Sequence, residues 1–475
     1  MQSRYKELGK NIGLITIGKA LAKVVSILIL PFYTTYLSPD DYGSIDMVTA
    51  YCALFMQPVT LCIDSAIFIF PARKPDKKKK SYYSSGFFLS FIPIAIFCLV
   101  MCLLNGLSEG FAAESFICTL TQNSFLLCLL VFSGFLSDFL QQMLRSLNRI
   151  GEYAAIGVLQ SLTMIVFSLF MLPRWGTRGY LYSIFLSTIS VVLVMFFYGR
   201  LWKWLSVKMV KLRYYIQMLR FSVPLIPAPA LIWVQFQSNK PILAASWGMV
   251  AVGILGFAAR VPFMLSYFAD SLCKAWEISA LNEHVKKGFS LFYNNICNTF
   301  FFIGAVGCVF FPVVIEPIFR ILIKEEFYPA IQYIPVCTLG VFFGICGQLL
   351  GVNLTVCKQS YKFFWSSAVA AAVVGIGNWL LIPGYGVWGA CIPMVLASFA
   401  VMMVRYFISL PMFRLDSVMR ICVGMLILIA WVSAYATLAH GWFARLGVSC
   451  AAFSSLVLLF KSYLKGKLQC YLKRR

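Results

Sequence analysis

The residues with most chemistry to offer in this chain are cations set where cations are costly. Lys19 and Lys23 lie four apart, hence on one helix face, inside the apolar run "GKALAKVVSILILPFYTTYL". Lys23 stands about 12 residues beyond Asn11, roughly 18 Å along a helix, too deep for easy escape to the interface. Lys240 follows Asn239 in "WVQFQSNKPILAA", and Arg260 and Lys274 lie in the apolar stretch after it. A charge at the centre of a bilayer costs roughly 2.5–3.5 kcal/mol on insertion scales, so such residues face a protein interior or a wet cavity. Five cations of this kind define a site that binds an anion. No catalytic constellation accompanies them. The acids of the same runs are Asp64 in "LCIDSAIFIF", Asp138 in "GFLSDFLQQMLRS", and Asp270 and Glu277 in "FADSLCKAWEISALN". With Asn239 these are the candidates for ion coupling or charge pairing. Asp270 and Lys274 can also pair with each other at i,i+4, and Asp64 with a lysine of the first run.

The elements that must carry these residues are membrane helices. The chain has 475 residues, 61% hydrophobic and 12% charged, with mean hydropathy +0.84. Soluble domains are less apolar and about twice as charged. Runs near 20 apolar residues predict fourteen spans, at roughly 12–36, 44–70, 83–104, 116–138, 153–173, 180–199, 221–245, 250–274, 290–315, 331–356, 363–383, 387–409, 420–439 and 446–461. The apolar run after the basic N-terminus shows no small-residue cleavage site, so the first span is expected to persist. Of 40 Lys+Arg, 30 fall on alternate loops counted from the N-terminus, five on the other loops and five inside spans. That bias predicts both termini in the cytoplasm and argues against nucleic acid as the partner of the +23 net charge. The 16 cysteines lie mostly within spans without a CxxC pair, and the chain has two histidines, so no metal site or cofactor is expected.

The two halves of the chain repeat. Pro31 and Gly43 match Pro241 and Gly253; Pro173, Gly176 and Gly179 of "LPRWGTRGY" match Pro383, Gly386 and Gly389 of "IPGYGVWGA", all at an offset of 210. Six spans per half make the halves parallel, related about an axis along the membrane normal. The expected organisation is an N-terminal lobe over 1–200, a cytoplasmic amphipathic linker over 201–220, a C-terminal lobe over 221–410, and two further helices with a basic tail over 411–475. The linker, mixing Lys and Arg with Trp and Tyr, reads as a helix on the anionic inner leaflet. Spans 1 and 2 correspond to spans 7 and 8, so their charges are expected to meet between the lobes as a cationic cavity. Pro31, Gly43, Pro241 and Gly253 are the candidate hinges and gate.

The stretch "LPFYTTYLSPDDYGSID" (30–46), the "LCIDSAIFIF" end of span 2, "QSNKPILAASWGMVAVGILGFAARV" (237–261) and the paired glycine turns resemble bacterial polysaccharide transporters. These are the O-antigen and capsule (Wzx-type) flippases of the multidrug/oligosaccharidyl-lipid/polysaccharide (MOP) exporter superfamily. The resemblance implies an all-α MATE-like fold with two six-helix lobes and two C-terminal helices. It implies a secondary transporter, not an enzyme, in the bacterial inner membrane. The implied activity is flipping undecaprenyl-diphosphate-linked oligosaccharide to the periplasmic leaflet by alternating access, beside membrane lipids and a polysaccharide polymerase. A lipid II-type precursor flippase and a membrane polymerase or ligase are the alternatives; short outer loops speak against the last. The chain departs from the family where an arginine often follows the aspartate matched by Asp64, having Ile67, Phe68 and Ile69 there. It departs again at Asn239, where an aspartate often precedes the cation.

Overall fold

The computed structural model describes residues 29–71, 74–107, 123–283, 289–356, 361–410, 418–437 and 441–472. Their regular structure is helical, with no strand among them. The first half contains α1 (Leu30–Tyr36), α2 (Pro39–Thr60), α3 (Ile63–Ile69), α4 (Asp76–Leu89), α5 (Phe91–Leu107), α6 (Ser124–Ser146) and α7 (Ile150–Leu193). Then follow α8 (Leu212–Ser222), α9 (Pro227–Gln237), α10 (Asn239–Glu283), α11 (Phe289–Leu322), α12 (Ile334–Val356), α13 (Tyr361–Ser409), α14 (Val418–Thr437) and α15 (Trp442–Leu472). The chain forms two compact units, Met1–Gly253 and Ile254–Arg475.

Among the described residues nine helices are long and apolar enough to cross a membrane, or ten when α2 and α3 count as one bent span. Fewer helices than expected spans appear because α7, α10 and α13 each run through a break, at Gly176, Gly248 and Gly386. The expected first span lies largely outside the described residues. In α7 the break reverses the chain. Gln160 donates to Thr188 Oγ1 at 3.4 Å, Ser187 lies 3.8 Å from Met164 Sδ, and Gly179 abuts the Met171 carbonyl. The partners converge on the turn, so the two arms run antiparallel. In α13 Arg405 donates to Ser366 Oγ at 3.2 Å, Gly377 lies against Pro393, and Gly389 abuts the Leu381 carbonyl. Both hairpins turn on a glycine of nearly equal geometry, φ 51°, ψ −130° at Gly176 and φ 55°, ψ −127° at Gly386. Such angles are essentially closed to side chains with a Cβ. The 210-residue repeat is thus a repeat of structure as well as of sequence.

Span 2 also breaks. Leu61 and Cys62 adopt φ of 54° and 50°, and α3 departs from α2 at 57°. Pro58 stands in the last turn of α2, and Thr60 donates its hydroxyl to the Met56 carbonyl at 2.8 Å. At its start α2 carries a capping box: the Ser38 hydroxyl accepts from Asp41 N, and the Asp41 carboxylate accepts from Ser38 N at 3.1 Å. Thr177, beside the α7 turn, donates to the same carboxylate at 2.7 Å.

The linker departs from expectation. Only Leu212–Ser222 is an α-helix; Leu201–Trp204 and Val207–Met209 are short 3-10 turns joined by extended residues. The backbone N–H groups of Ser206 and Lys211 donate to Ser84 and Ser85 of α4 at 2.9 and 2.8 Å. Tyr82 packs against Tyr214, rings tilted by 40° at 4.4 Å, and donates to Gln217 at 2.8 Å. Docking onto α4 supplies the hydrogen bonds that a continuous helix would have made internally. In the second unit α14 and α15 pack on α11. Trp442 Nε1 donates to the Val313 carbonyl at 3.0 Å, and the buried Glu316 accepts from Arg320 at 3.0 Å and pairs with Arg445 at 2.7 Å.

Candidate functional site

One face of α2 carries Gly43, Asp46 and Ala50, spaced for a helix stripe. Each meets the chain between α9 and the early part of α10, in reversed order. Gly43 lies against Met249 and Gly253, Asp46 against Lys240, and the Ala50 carbonyl accepts from Trp233 Nε1 at 2.7 Å. The two segments therefore cross antiparallel, along a line that runs from a backbone contact through an ion pair to an indole hydrogen bond.

The ion pair is the electrostatic centre. Lys240 Nζ lies 2.8 Å from Asp46 Oδ2, with side chains 13% and 15% exposed. Beside it Gln237 Oε1 and Asn239 Oδ1 are buried without a hydrogen-bond partner. Groups in this condition are costly in a dry interior, and the cost falls when a polar ligand arrives. Lysine offers three donors on a flexible stem and changes partner readily, so an incoming polyanion competes with the Asp46 carboxylate for it.

The backbone contact is reciprocal. A methyl at Gly43 would overlap the Met249 carbonyl, and a methyl at Gly253 would overlap the Pro39 carbonyl. Residues 39 and 249, like 43 and 253, stand 210 apart, so the repeat meets its own counterpart here. A chain break precedes each contact at positions 210 apart: Ser38 with φ −76°, ψ 166° caps α2, and Gly248 with φ 79°, ψ 176° interrupts α10.

The other expected residues distribute as follows. Asn239, Lys240 and Pro241 open α10, and the structure brings Lys240 together with Gly43, Gly253 and their neighbours. Pro31 occupies the first turn of α1, where its carbonyl accepts from Thr34 and Thr35 at 2.9 and 3.0 Å. Asp64 follows the αL break in α3, its Oδ1 buried without a partner, and stands within electrostatic reach of Asp138 on the packed helix α6. Arg145, the cation nearest along α6, turns instead to Gln142 at 2.9 Å and to the rings of Phe68 and Tyr153. Arg260 is exposed and Glu277 half-buried on α10, in the second unit. Lys19 and Lys23, and the side chains of Asp270 and Lys274, lie outside the described part of the molecule.

Asp46 was not among the expected residues. Its signal was its position one helical turn after Gly43, in the stretch that ends the family-like "LSPDDYGSID". The family's aspartate beside the span 7 cation is replaced here by Asn239, and α2 delivers the carboxylate instead. Buried Glu316 and half-buried Arg405 were missed too, because loop counting assigned their neighbourhoods to the interface.

The fold defines a polytopic all-helical protein with charges buried among its helices. A structure of lipid II flippase MurJ in an inward closed conformation matches with TM-score 0.67 and 15% identity, covering 95% of this chain and 99% of that one. An inward-facing MATE-family multidrug transporter of the MOP superfamily matches at TM-score 0.64 and 13% identity, over 86% and 95%. A MOP superfamily transporter from Pyrococcus furiosus, described as having a binding pocket of reverse polarity, matches at 0.54 and 14%, over 87% and 96%. The sequence pattern of the polysaccharide biosynthesis protein family matches residues 8–276, and the chain belongs to that family. No curated protein sequence matches it.

Proposed function

We propose that the protein is a flippase for undecaprenyl-diphosphate-linked oligosaccharide, an O-antigen, capsule or exopolysaccharide unit, carried from the cytoplasmic to the periplasmic leaflet. The observation that carries the reading is the enclosed Lys240–Asp46 pair. Asp46 holds the ammonium while the site is empty, and a diphosphate takes its place when substrate enters. Hydroxyls of the attached sugar donate to the Gln237 and Asn239 side-chain oxygens, which lack a donor. Arg260, Lys274, Lys19 and Lys23 are the further cations that the sequence offers to an anionic substrate. Gly43 and Gly253 form a closed contact that must part for release, with Pro31 and Pro241 allowing the flanking helices to bend. Asp64 and Asp138 are the carboxylates available for coupling to an ion gradient. The positive-inside bias supports an inner-membrane protein with cytoplasmic termini.

The test is direct binding. Purified protein is titrated with undecaprenyl diphosphate, and Lys240→Ala is expected to weaken binding about ten-fold or more, the value of one charge-assisted hydrogen bond. Lys240→Arg should retain most of the affinity. Unchanged affinity in Lys240→Ala would remove Lys240 from the substrate site. The likeness to MurJ favours a second reading, lipid II as cargo. Rescue of cells depleted of their lipid II flippase would support it; failure to rescue beside restored surface glycan would support the first.

A further inference from the structure

Cys337 of α12 and Cys391 of α13 meet within the second unit, Sγ to Sγ at 3.8 Å, and both are fully buried free thiols. They form one rung of a longer seam. One helical turn before them the rings of Tyr333 and Trp388 pack at 5.0 Å. After them Gly340 faces Val395, and Gly347 faces Met402. Partner positions advance together, so α12 and the second arm of α13 run parallel. The glycines bring the two backbones close. A methyl at Gly340 would lie 3.6 Å from Val395 Cα, and one at Gly347 would lie 3.6 Å from Met402 Cα. An approach of this kind, one turn away, sets the cysteines near the Cα separations of about 4.4–6.8 Å that a disulfide spans. Rotation about the two Cα–Cβ bonds is the movement left to bring the sulfurs to bonding distance.

The pair stands at one end of its helices. Cys337 is the fourth residue of α12, and Cys391 lies five residues past the turn at Gly386. The 3-10 segment Glu325–Tyr333 that leads into α12 carries exposed Glu325 and Glu326, and Tyr and Trp favour the membrane–water interface. In the orientation proposed above this is the periplasmic end, and the inference rests on that orientation but not on the cargo. The bacterial periplasm is oxidising. We infer that Cys337 and Cys391 are a disulfide site, joined by thiol–disulfide exchange with an oxidising dithiol protein of that compartment. One cysteine, as thiolate, attacks the oxidant's disulfide, forming a mixed disulfide and releasing one oxidant thiol. The other cysteine then attacks its partner's sulfur, and the oxidant leaves as its dithiol. The two cysteines give up two electrons and two protons, and the oxidant takes both. Burial dates the step before α13 packs on α12, since the finished seam admits no second protein. The same burial then shields the bond from reductants. The cross-link ties the outer ends of α12 and the second arm of α13, so that they move as one body.

Cells making the full-length protein are quenched in acid, free thiols are alkylated in denaturant, and the digested protein is read by mass spectrometry. Wild type is expected to give a linked pair of peptides, lighter by two hydrogens than their sum, with Cys337 and Cys391 unalkylated. Cys337→Ser should leave Cys391 alkylated, and growth with dithiothreitol should leave both alkylated in wild type. Wild type grown with dithiothreitol should also unfold at a lower temperature than wild type grown without it, a shift lost when Cys337→Ala is combined with Cys391→Ala. Tyr385→Cys, at an exposed position beside the Gly386 turn, reports orientation through a membrane-impermeant maleimide applied to spheroplasts. Labelling of that variant above the wild-type background, beside full alkylation of Cys337 and Cys391 in wild type, would overturn the inference alone. Labelling only after lysis would overturn the orientation and the inference with it.

Discussion

At the scale of single residues, the balance at Lys240 is a matter of sign. Asp46→Asn leaves an ammonium enclosed without its counter-charge, at a cost of about 2.5–3.5 kcal/mol. Lys240→Met leaves the carboxylate in the same position. Replacing both, as Asp46→Leu with Lys240→Met, removes two desolvation costs together. Thermal unfolding of purified protein should therefore show both single variants below wild type and the double variant restored, while transport stays lost in all three. A double variant no more stable than the singles would show that packing, not charge, holds α2 against α10. Glu316 presents the same arithmetic at another place. It is 1% exposed and holds Arg320 and Arg445 together. Glu316→Gln leaves two guanidinium groups facing one neutral amide and should loosen α15 from α11, read as faster amide exchange at the start of α15. Exchange equal to wild type would place the attachment of α15 in its apolar contacts and the Trp442 hydrogen bond.

At the scale of elements, glycine geometry carries the argument. Gly176 and Gly386 turn equivalent hairpins with matching angles, so Gly176→Ala and Gly386→Ala should cost nearly the same, about 1–3 kcal/mol each. Chemical unfolding of the two variants measures this, and a large inequality would mean that the two turns are held differently. Gly43→Ala and Gly253→Ala act otherwise, because each methyl meets a carbonyl across the helix crossing. They should prop α2 off α10, leaving protein inserted but raising the reactivity of cysteines introduced nearby toward aqueous thiol reagents. Much of this level was legible beforehand. The proline and glycine offsets revealed the repeat, because backbone conformations restricted to glycine leave their mark in sequence. The linker was not legible, because its hydrogen bonds go to Ser84 and Ser85 on a helix far away in the chain. Asp46 was passed over for a related reason. Its partner is set by how α2 crosses the start of α10, and no spacing within α2 announces a partner 194 positions on.

At the scale of the whole molecule, composition and spans indicated a polytopic all-helical protein, and the helices among the described residues agree. The span count was harder to read against the structure, since hairpins turning on a single glycine leave no loop between two expected spans. The central claim is that the chain moves a lipid-linked glycan across the bilayer and that Lys240 grips its phosphates. The most direct measurement is leaflet-resolved accumulation of lipid-linked glycan in cells lacking the protein, complemented with wild type or with normally inserted Lys240→Ala. Glycan held on the cytoplasmic face, released by wild type and retained with Lys240→Ala, is the predicted result. Accumulation on the periplasmic face instead would assign the chain to a later step, polymerisation or ligation, and contradict the account.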